Sequence, residues 1–363
     1  MRVDVACFTG QSGITDYSVS LCRALAAKAS VRLLTATSLP ERFRAMGFAV
    51  ETPFRRSRHY PIDFPRFVSR IAREKPDWVL LQSELKSPIA EGLACSYLRR
   101  RGVRTALAIH DVLPHYPRPW SRAEYAWYYR QFDALVVHSQ SAFDAVRAMG
   151  VGRPMAAIPH GIYDLFRLRM PSAAEARQRI GLSPQDRVVL FFGHLEPRKG
   201  LGPLLDAARL LVDRPDIKFL LAGSNDLGAH RGQWPARLDE ARRQPNVLVH
   251  DRRIPFDEVE DYFCAADVVA LPYLEGTTSG VLKLAIAFGK PVVASDVGDL
   301  PHEVPAGGGV LLPVERLPAE LPGALTRLLE QPADAAAAMH AAGRQGDWSA
   351  IADRYLDLLR AHS

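Results

Sequence analysis

Short runs of aliphatic and β-branched residues alternate along the chain with longer stretches that have the apolar spacing of helices. Such runs are typical of parallel strands that are buried on both faces of a sheet. In the first half, the pattern predicts strands at residues 3–8, 31–35, 78–81, 105–109, 135–137 and 155–158. In the second half, it predicts strands at residues 188–192, 218–222, 247–249, 268–271, 292–294 and 310–312.

Residues 163–187 separate the two sets of strands and carry no strand pattern. The length of 363 residues exceeds the about 250 to 300 residues at which single cores usually stop growing. We therefore predict an α/β protein with two doubly wound Rossmann-like domains that face each other across a cleft. The predicted parts are an N-terminal domain (1–165), a linker (166–187) and a C-terminal domain (188–345). Residues 346–363 have helical spacing, and we expect this helix to pack back on the N-terminal domain.

The formal net charge of +6 is unevenly distributed. Between residues 41 and 75, nine Lys and Arg residues face four acids, with six aromatic residues interleaved. Such a surface favours an anionic partner, either phospholipid headgroups or a phosphorylated substrate, although a solvated face of the protein is an equal alternative. No recognised nucleic-acid-binding motif accompanies the charge, so we do not expect nucleic acid as a partner.

The four cysteines are scattered in apolar surroundings and form no C-x-x-C pair. This pattern predicts buried, reduced thiols rather than disulfides or a metal site. The N-terminus has no apolar signal region, and no apolar run approaches the about 18 residues of a membrane span. We expect a cytoplasmic protein, with peripheral contact at the inner face of the membrane as an open alternative.

The segment PYLEGTTSGVLKLAIAFGKP, residues 272–291, carries the strongest chemical signal. A buried strand ends there in a loop of Gly, Thr and Ser that opens into an apolar helix. The first four N–H groups of a helix have no partner within the helix, and its dipole is positive at this end. An anionic oxygen near Thr278, Ser279 and Gly280 would therefore be stabilised. Two charges, Glu275 and Lys283, flank this cradle.

Each half also has a glycine-rich turn after its first strand. The first turn, with Gly10 and Gly13, lacks the spacing of a dinucleotide fingerprint, and no acid ends the second strand; a dehydrogenase is therefore disfavoured. The second turn, GHLEPRKG from Gly193 to Gly200, places Arg198 and Lys199 beside a tight bend. A cationic pair suits a pyrophosphate leaving group, and surface charge on a loop is the alternative.

Taken in order, the motifs resemble the retaining nucleotide-sugar glycosyltransferases of family 4, which have the two-domain GT-B fold. The resemblance spans nearly the whole chain. It rests on the turn with Gly13 and, further along, on AIHDVLPH, VVHSQSAFDAV, IPHGIYDLF, FFGHLEPRKGL, LLAGS, ADVVALPYLEG and GKPVVASDVGDLP.

The resemblance implies that the C-terminal domain binds a UDP- or GDP-sugar donor, that the N-terminal domain binds the acceptor, and that no further cofactor or metal is required. It implies that Lys199 contacts the donor pyrophosphate, that Glu275 is the first acid of a Glu-x7-Glu motif and approaches the sugar, and that His110 lies beside the sugar. The other residues it assigns to donor binding are Gly13, Gly193, His194, Arg198, Thr278, Ser279, Gly280 and Lys283. It also implies retention at the anomeric carbon, with the departing phosphate helping to take the acceptor proton.

The chain departs from the family pattern at two positions. The family has a second acid in the motif, which accepts hydrogen bonds from ribose hydroxyls, and this chain has Lys283 at that position. The family also has an arginine five residues before its pyrophosphate lysine, and this chain has His194 there. An ammonium only donates hydrogen bonds, so Lys283 cannot hold ribose as a carboxylate does. Lys283 either reaches the pyrophosphate or faces solvent. A catalytically inactive sugar-nucleotide or saccharide-binding protein is therefore the alternative function, and Lys283→Glu is the change that would separate the two.

The acceptor is less well defined. Residues 115–132 combine seven aromatic side chains with three arginines, a composition that suits stacking on sugar rings, contact with a membrane interface, or plain core packing. We expect a saccharide or lipid-linked saccharide acceptor in polysaccharide, glycolipid or glycosylated natural-product biosynthesis. His110 has a structural alternative as a capping residue. His115, His138 and His160 are weaker candidates for the functional role that the resemblance gives to His110.

Overall fold

The computed structural model describes residues 1–55, 57–114, 117–225, 234–276 and 279–362, apart from the side chain of residue 345. The chain divides into two compact units. The N-terminal unit is Met1–Gly161 together with the C-terminal segment that starts at Asp347, and the C-terminal unit is Ile162–Gly346. Each unit is an α/β domain with a wholly parallel sheet.

The N-terminal sheet has the strand order β3-β2-β1-β4-β5-β6-β7. Its strands are β1 (Arg2–Ala6), β2 (Ser30–Ala36), β3 (Ala49–Phe54), β4 (Trp78–Gln82), β5 (Arg104–Ile109), β6 (Ala134–Val137) and β7 (Met155–Ala157). Its helices, numbered in chain order, are α1 (Gly13–Ala26), α2 (Tyr60–Glu74), α3 (Pro88–Arg100), α4 (Ser121–Tyr129), α5 (Gln140–Arg147) and α14 (Trp348–Ala361). Strands β1, β4 and β5 are almost wholly buried, as expected when helices cover both faces of a parallel sheet.

The C-terminal sheet has the strand order β10-β9-β8-β11-β12-β13. Its strands are β8 (Arg187–Phe192), β9 (Ile217–Ala222), β10 (Val247–His250), β11 (Val268–Leu271), β12 (Val292–Ser295) and β13 (Gly309–Leu312). Its helices are α6 (Ala173–Arg179), α7 (Leu201–Leu210), α8 (Trp234–Ala241), α9 (Val259–Ala265), α10 (Gly280–Ala287), α11 (Leu300–Glu303), α12 (Leu317–Glu330) and α13 (Ala333–Gln345). Because β8 and β11 are neighbours and parallel, the loops that follow them emerge side by side at one edge of this sheet.

Every strand that the hydrophobic pattern predicts is present, with bounds that differ by at most two residues. The structure adds β3, which the pattern did not predict. Its sequence AVETPF contains Glu and Pro, and most of its residues are only partly buried. β3 lies at the edge of the sheet and pairs with β2 on one side only. An edge strand tolerates a proline such as Pro53, and its polar residues can face water.

Residues 166–187, predicted as a linker, are part of the C-terminal unit. Ser172 and Glu175 form a capping box that starts α6. The buried Glu260 carboxylate accepts hydrogen bonds from the backbone amides of residues 168, 169 and 170 and an ion pair from Arg169 at 2.7 Å. These bonds attach the segment to α9.

The C-terminal helix α14 packs against α1 within the N-terminal unit. The hydroxyl groups of Tyr355 and Tyr17 are hydrogen-bonded at 2.9 Å in the buried interface. Trp348 lies so close to Gly161 that a Cβ on that glycine would be 2.5 Å from its ring. The two ends of the chain are thereby joined in one core.

Several arginines of the basic segment 41–75 are paired with acids, so the segment presents less free positive charge than its composition suggests. Arg55 pairs with the buried Asp63, Arg44 pairs with Glu41, and Arg70 pairs with Glu74 at 2.6 Å. Pairing with these acids reduces the positive charge that an anionic partner would meet. All four cysteines are buried and free, as predicted.

Candidate functional site

The glycine-rich turn after β8 places Lys199 over the backbone of Gly193. Gly193 has a φ of +99°, and a Cβ at this position would lie 3.1 Å from the Lys199 Nζ. Residues Pro197–Lys199 form a single 3₁₀ turn, and Gly200, with a φ of +75°, then starts α7. The missing side chain at Gly193 is what allows the ammonium to approach the end of β8.

This turn is tied to the loop that carries Glu275. The Arg198 carbonyl accepts hydrogen bonds from the Leu274 N–H at 2.8 Å and the Glu275 N–H at 3.4 Å. The Arg198 side chain forms an ion pair with Glu196 at 2.7 Å. Two loops far apart in sequence are thus held together, because the strands before them are neighbours in the sheet.

Gly200 packs against the backbone of the loop that carries Glu275, with no room for a side chain. We therefore expect Gly200→Ala to destabilise the C-terminal unit. A Cβ at Gly200 would lie 1.7 Å from the Pro272 carbonyl oxygen, so the loops must separate. Gly181→Ala is the matched control, because Gly181 also has a positive φ but nothing within 4 Å. We expect about 1 to 2 kcal/mol for the control and at least about 3 kcal/mol for Gly200→Ala, measured by urea unfolding. Equal losses would contradict the packing argument.

The start of α10 is shaped by Ser279, its N-cap. The Ser279 hydroxyl accepts a hydrogen bond from the Leu282 N–H at 3.2 Å and is bonded to the Tyr273 hydroxyl at 3.2 Å. The Tyr163 ring covers Gly280 closely enough that a Cβ there would be 3.3 Å from it. Ser279 is buried and Glu275 is exposed. Thr278, also assigned to the phosphate cradle, lies outside the described residues.

Lys283 is buried and paired, which contradicts the alternative that it faces solvent. Its Nζ lies 3.0 Å from the Glu303 Oε1, and both side chains are only 9% exposed. Burial raises the pKa of Glu303, and the nearby Lys283 ammonium opposes that rise. The other oxygen, Oε2, has no hydrogen-bond partner within the described part of the chain. A carboxylate, that of Glu303, therefore lies beside the position where the family pattern has its second acid.

The electrostatic setting of Lys199 favours an anionic ligand. Burial lowers the pKa of Lys199, Glu196 partly opposes this, and the Arg198 guanidinium lowers it further. A partly desolvated ammonium beside a second cation is stabilised when an anion binds. His194, where the family pattern has an arginine, is exposed on the same turn.

His110 lies at the end of β5 in the N-terminal unit. Its Nε2 is hydrogen-bonded to the Oε1 of Gln82, at the end of β4, at 3.2 Å. Because an amide oxygen only accepts, this bond places the ring proton on Nε2 and leaves Nδ1 as an acceptor. The Tyr17 ring packs edge-on against His110 with 5.0 Å between centroids. Gly13, the other predicted residue of this unit, begins α1 after the N-cap Ser12.

The sequence made His138 and His160 weaker candidates than His110 for a functional role, yet both lie next to His110 in the structure. Their ring centroids lie 4.7 and 6.3 Å from that of His110, and Tyr17 contacts all three rings. Burial lowers the pKa of His110 well below its usual value, and the two neighbouring imidazoles lower it further. His110 is therefore a neutral hydrogen-bonding group at neutral pH.

This cluster predicts a loss of stability on mild acidification. The unfolded chain binds a proton at His110 near pH ~6.5, whereas the folded protein does not, so the free energy of unfolding falls below that pH. The slope from this single group is at most about 1.4 kcal/mol per pH unit. We expect His110→Asn, which cannot bind the proton, to lose less stability than the wild type between pH 7 and 5 in urea titrations. Parallel curves for the two proteins would refute the assignment.

In the described part of the chain, no set of three or more His, Cys, Asp or Glu side chains is arranged to hold a metal ion. None of the helices described combines the length and the apolar character that crossing a bilayer requires.

Comparison with known proteins matches each half of the chain to a family. Residues 11–164 match the model described as Glycosyltransferase Family 4, and residues 186–331 match the model described as Glycosyl transferases group 1. Between them the two models account for most of the chain, with one in each unit.

Curated relatives include D-inositol 3-phosphate glycosyltransferases. The protein of Streptomyces bingchenggensis is 30% identical over 253 residues, which cover 63% of this chain and 54% of the relative. The protein of Rhodococcus opacus is 32% identical over 206 residues, covering 54% and 46%. The chain thus spans about half the length of the curated relatives it matches.

Two solved structures resemble the whole chain. Sucrose-phosphate synthase from Thermosynechococcus elongatus has a TM-score of 0.76 at 22% identity, covering 99% of this chain and 98% of the other. HepE of Anabaena, solved in complex with UDP and glucose, has a TM-score of 0.78 at 19% identity, covering 99% and 100%. At these identities the likeness establishes the predicted fold, with two Rossmann-like domains.

Proposed function

Because the two halves of this chain carry the family 4 and group 1 domains of a GT-B glycosyltransferase, we propose that it transfers a sugar from a nucleotide diphosphate to an acceptor hydroxyl with retention of anomeric configuration. The C-terminal unit would bind the donor and the N-terminal unit the acceptor. The observation that carries this proposal is the assembly of Gly193, Arg198, Lys199 and Glu275 at the carboxyl edge of the C-terminal sheet. Ligands of open α/β sheets bind at this edge.

The proposed reaction needs stabilisation of a leaving anion more than it needs a strong base. The bond between the anomeric carbon and the β-phosphate oxygen breaks, and negative charge grows on the nucleoside diphosphate. The Lys199 ammonium and the backbone amides at the start of α10 would stabilise that charge. In the retaining reaction proposed, the departing phosphate accepts the proton of the acceptor hydroxyl as that oxygen bonds to the anomeric carbon.

Glu275 and His110 would act on the sugar rather than on the phosphate. Glu275 is exposed, and its backbone N–H is bonded to the Arg198 carbonyl in the turn that carries Lys199, so its carboxylate can accept hydrogen bonds from sugar hydroxyls. The neutral His110 can accept one at Nδ1 while Gln82 holds Nε2. A neutral imidazole also avoids placing a second positive charge beside a developing oxocarbenium ion.

For the donor, we propose a UDP-sugar, with a GDP-sugar as the second choice. The support is the solved HepE complex with UDP and glucose, whose fold matches the whole chain. The test is release of nucleoside diphosphate from a panel of UDP-, GDP- and ADP-sugars, with the anomeric configuration of any product read by NMR. Absence of both release and nucleotide binding across the panel would overturn the proposal, and an inverted product would overturn retention alone.

The buried Lys283–Glu303 pair favours one alternative, a sugar-nucleotide or saccharide-binding protein without activity. The pair places a lysine where the family pattern has a ribose-binding acid. Such a protein would bind UDP in a thermal-shift assay but release none from any UDP-sugar. Turnover of a UDP-sugar would exclude this alternative.

A further inference from the structure

Helix α3 of the N-terminal unit carries a stripe of exposed apolar side chains. Ile89, Leu93 and Tyr97 are 55%, 59% and 40% exposed, and their spacing of four residues places them along one side of the helix. At 1.5 Å per residue, the stripe is about 12 Å long. Single exposed apolar side chains are common in folded proteins, whereas an aligned set of large ones marks a surface that contacts a partner.

Helix α2 lies beside α3 and contacts it. The connections from β3 to β4 and from β4 to β5 run the same way across the sheet, so both helices cover the same face of it. The Tyr60 hydroxyl of α2 donates a hydrogen bond to the buried Glu91 of α3 at 2.9 Å, and the Lys86 Nζ donates to the Ser57 carbonyl at 2.9 Å. The outer sides of the two helices, here called the α2–α3 surface, can therefore meet a flat partner together.

Exposed cations accompany the stripe on this surface. They lie on α2 and the turn before it, and at the two ends of α3: Arg58, Arg66, Arg73, Lys86, Arg100 and Arg101. None of them forms an ion pair within the residues that the structure describes. The Arg101 guanidinium lies 5.3 Å from the centre of the Tyr97 ring, so the stripe ends in a cation–π contact.

The acids of the same segment are already bonded to partners within the N-terminal unit. Residues 57–101 contain Asp63, Glu74, Asp77, Glu84 and Glu91, which accept hydrogen bonds from arginine side chains, a backbone amide or tyrosine hydroxyls. On the other side of α3, helix α4 adds one exposed cation, Arg122, and one partly buried acid, Glu124. The α2–α3 surface is therefore apolar along its centre and positively charged around it.

We propose that the α2–α3 surface docks this protein on an anionic phospholipid bilayer. The stripe of α3 enters the boundary between headgroups and acyl chains, and the surrounding cations contact lipid phosphates. The long arginine and lysine side chains can reach the headgroups while their stems stay on the apolar surface. The proposal goes beyond the transferase function and does not depend on it.

A bilayer fits this surface better than a second copy of the chain does. In a twofold dimer, the same patch of both copies would meet, so each arginine cluster would face its own equivalent. The hydroxyl of Ser96, which lies between Leu93 and Tyr97 in sequence, is already bonded to Gln131 at 3.2 Å. Aliphatic groups and long cations remain, and these suit a fluid headgroup layer, which needs no fixed set of hydrogen bonds.

The test is flotation of the full chain with vesicles of pure phosphatidylcholine and with vesicles of phosphatidylcholine and phosphatidylglycerol in equal amounts. We expect at least about 10-fold tighter binding to the mixed vesicles, since the anionic surface attracts each nearby cation. Raising the salt from about 0.05 M to about 0.5 M should weaken this binding at least about 10-fold, because salt screens the charges. Equal binding to both kinds of vesicle, or binding to neither, would overturn the proposal.

Leu93→Asp tests the apolar stripe, and Leu210→Asp is its matched control. Leu210 is 62% exposed on α7 of the C-terminal unit, so both changes lie at the protein surface and should leave folding intact. We expect Leu93→Asp to weaken binding to the mixed vesicles at least about 10-fold, and Leu210→Asp less than about 2-fold. Equal binding by the two variants would contradict the role of the stripe.

Arg66→Glu/Arg73→Glu tests the charge of the surface. Arg209→Glu/Arg243→Glu is the control, because it changes the net charge by the same amount at exposed positions of the C-terminal unit. We expect the first pair to weaken binding at least about 10-fold and the second less than about 3-fold. Losses of the same size would show that net charge, and not the α2–α3 surface, governs binding, and would overturn the proposal.

A nitroxide label on Leu93→Cys measures docking without relying on a loss of binding. The four native cysteines are buried, so the label attaches at the introduced thiol. With mixed vesicles, we expect this label to become more accessible to oxygen and less accessible to a water-soluble nickel complex, and a label on Leu210→Cys to stay unchanged. An unchanged label at position 93 would overturn the proposal, as would self-association without vesicle binding, which would assign the surface to a second copy. Because no donor is needed, neither result bears on the transferase function.

Discussion

Lys199→Ala is expected to reduce the turnover number for transfer from a UDP-sugar by about 10²- to 10³-fold, the usual cost of removing one group that stabilises a developing anion. The reason is the position of the Lys199 Nζ over Gly193, at the edge where the diphosphate of the donor would lie. Because charge on the leaving phosphate grows during the reaction, the loss should fall mainly on kcat rather than on KM. Steady-state kinetics with a coupled assay for UDP release measures both constants.

Lys218→Ala is the matched control for this experiment. Lys218 belongs to the same unit, but its Nζ donates to the Pro245 carbonyl at the exposed surface. We expect its kinetics to match those of the wild type within about 2-fold, since surface changes rarely exceed ±0.5 kcal/mol. Unchanged turnover in Lys199→Ala would remove its proposed role. A milder loss is expected for Gly193→Ala, whose Cβ would displace the ammonium.

Glu303→Ala is expected to destabilise the protein by about 3 to 5 kcal/mol, because it leaves the buried Lys283 ammonium without its partner. Lys283→Met should cost less, since the Glu303 carboxyl, whose pKa is already raised by burial, can take up a proton and become neutral. The double variant Lys283→Met/Glu303→Leu removes both charges and should be close to the wild type. Urea unfolding of the four proteins gives the coupling between the two residues.

The ion pair between Lys283 and Glu303 also changes the result that we expect from Lys283→Glu. The sequence alone suggested this variant as a way to restore ribose binding. In the structure it would place a second carboxylate against Glu303, so we expect loss of stability rather than a gain in nucleotide affinity. The reversed pair Lys283→Glu/Glu303→Lys is the sound version, because it keeps one charge of each sign. A stable, well-folded Lys283→Glu variant would contradict this reading of the pair.

The local sequence pattern was sufficient to predict most strands of the two sheets and the glycine-rich turn of residues 193–200. Buried parallel strands read as continuous apolar runs, so their number and place in sequence were visible, whereas the edge strand β3 was missed because one side of it is not buried. The glycines of the 193–200 turn were also visible, since only glycine readily adopts the positive φ values of Gly193 and Gly200.

Other features of the candidate site depend on residues that meet only in the folded chain. The sequence showed that Lys283 stands where an acid was expected, but not that Glu303 supplies a carboxylate 3.0 Å away. The sequence ranked His110 above His138 and His160. It did not show that the three rings form one cluster around Tyr17.

The sequence by itself determined the two α/β domains, the strands with few exceptions, and the glycine and lysine residues of the donor turn, because these follow from side-chain periodicity and local backbone freedom. Only the tertiary structure decided that the Arg198 carbonyl binds the loop of Glu275, that Lys283 pairs with Glu303, and that His110 clusters with two further histidines. The physical reason is strand order: β8 lies beside β11, and β4 beside β5, so their loops meet at one edge of each sheet.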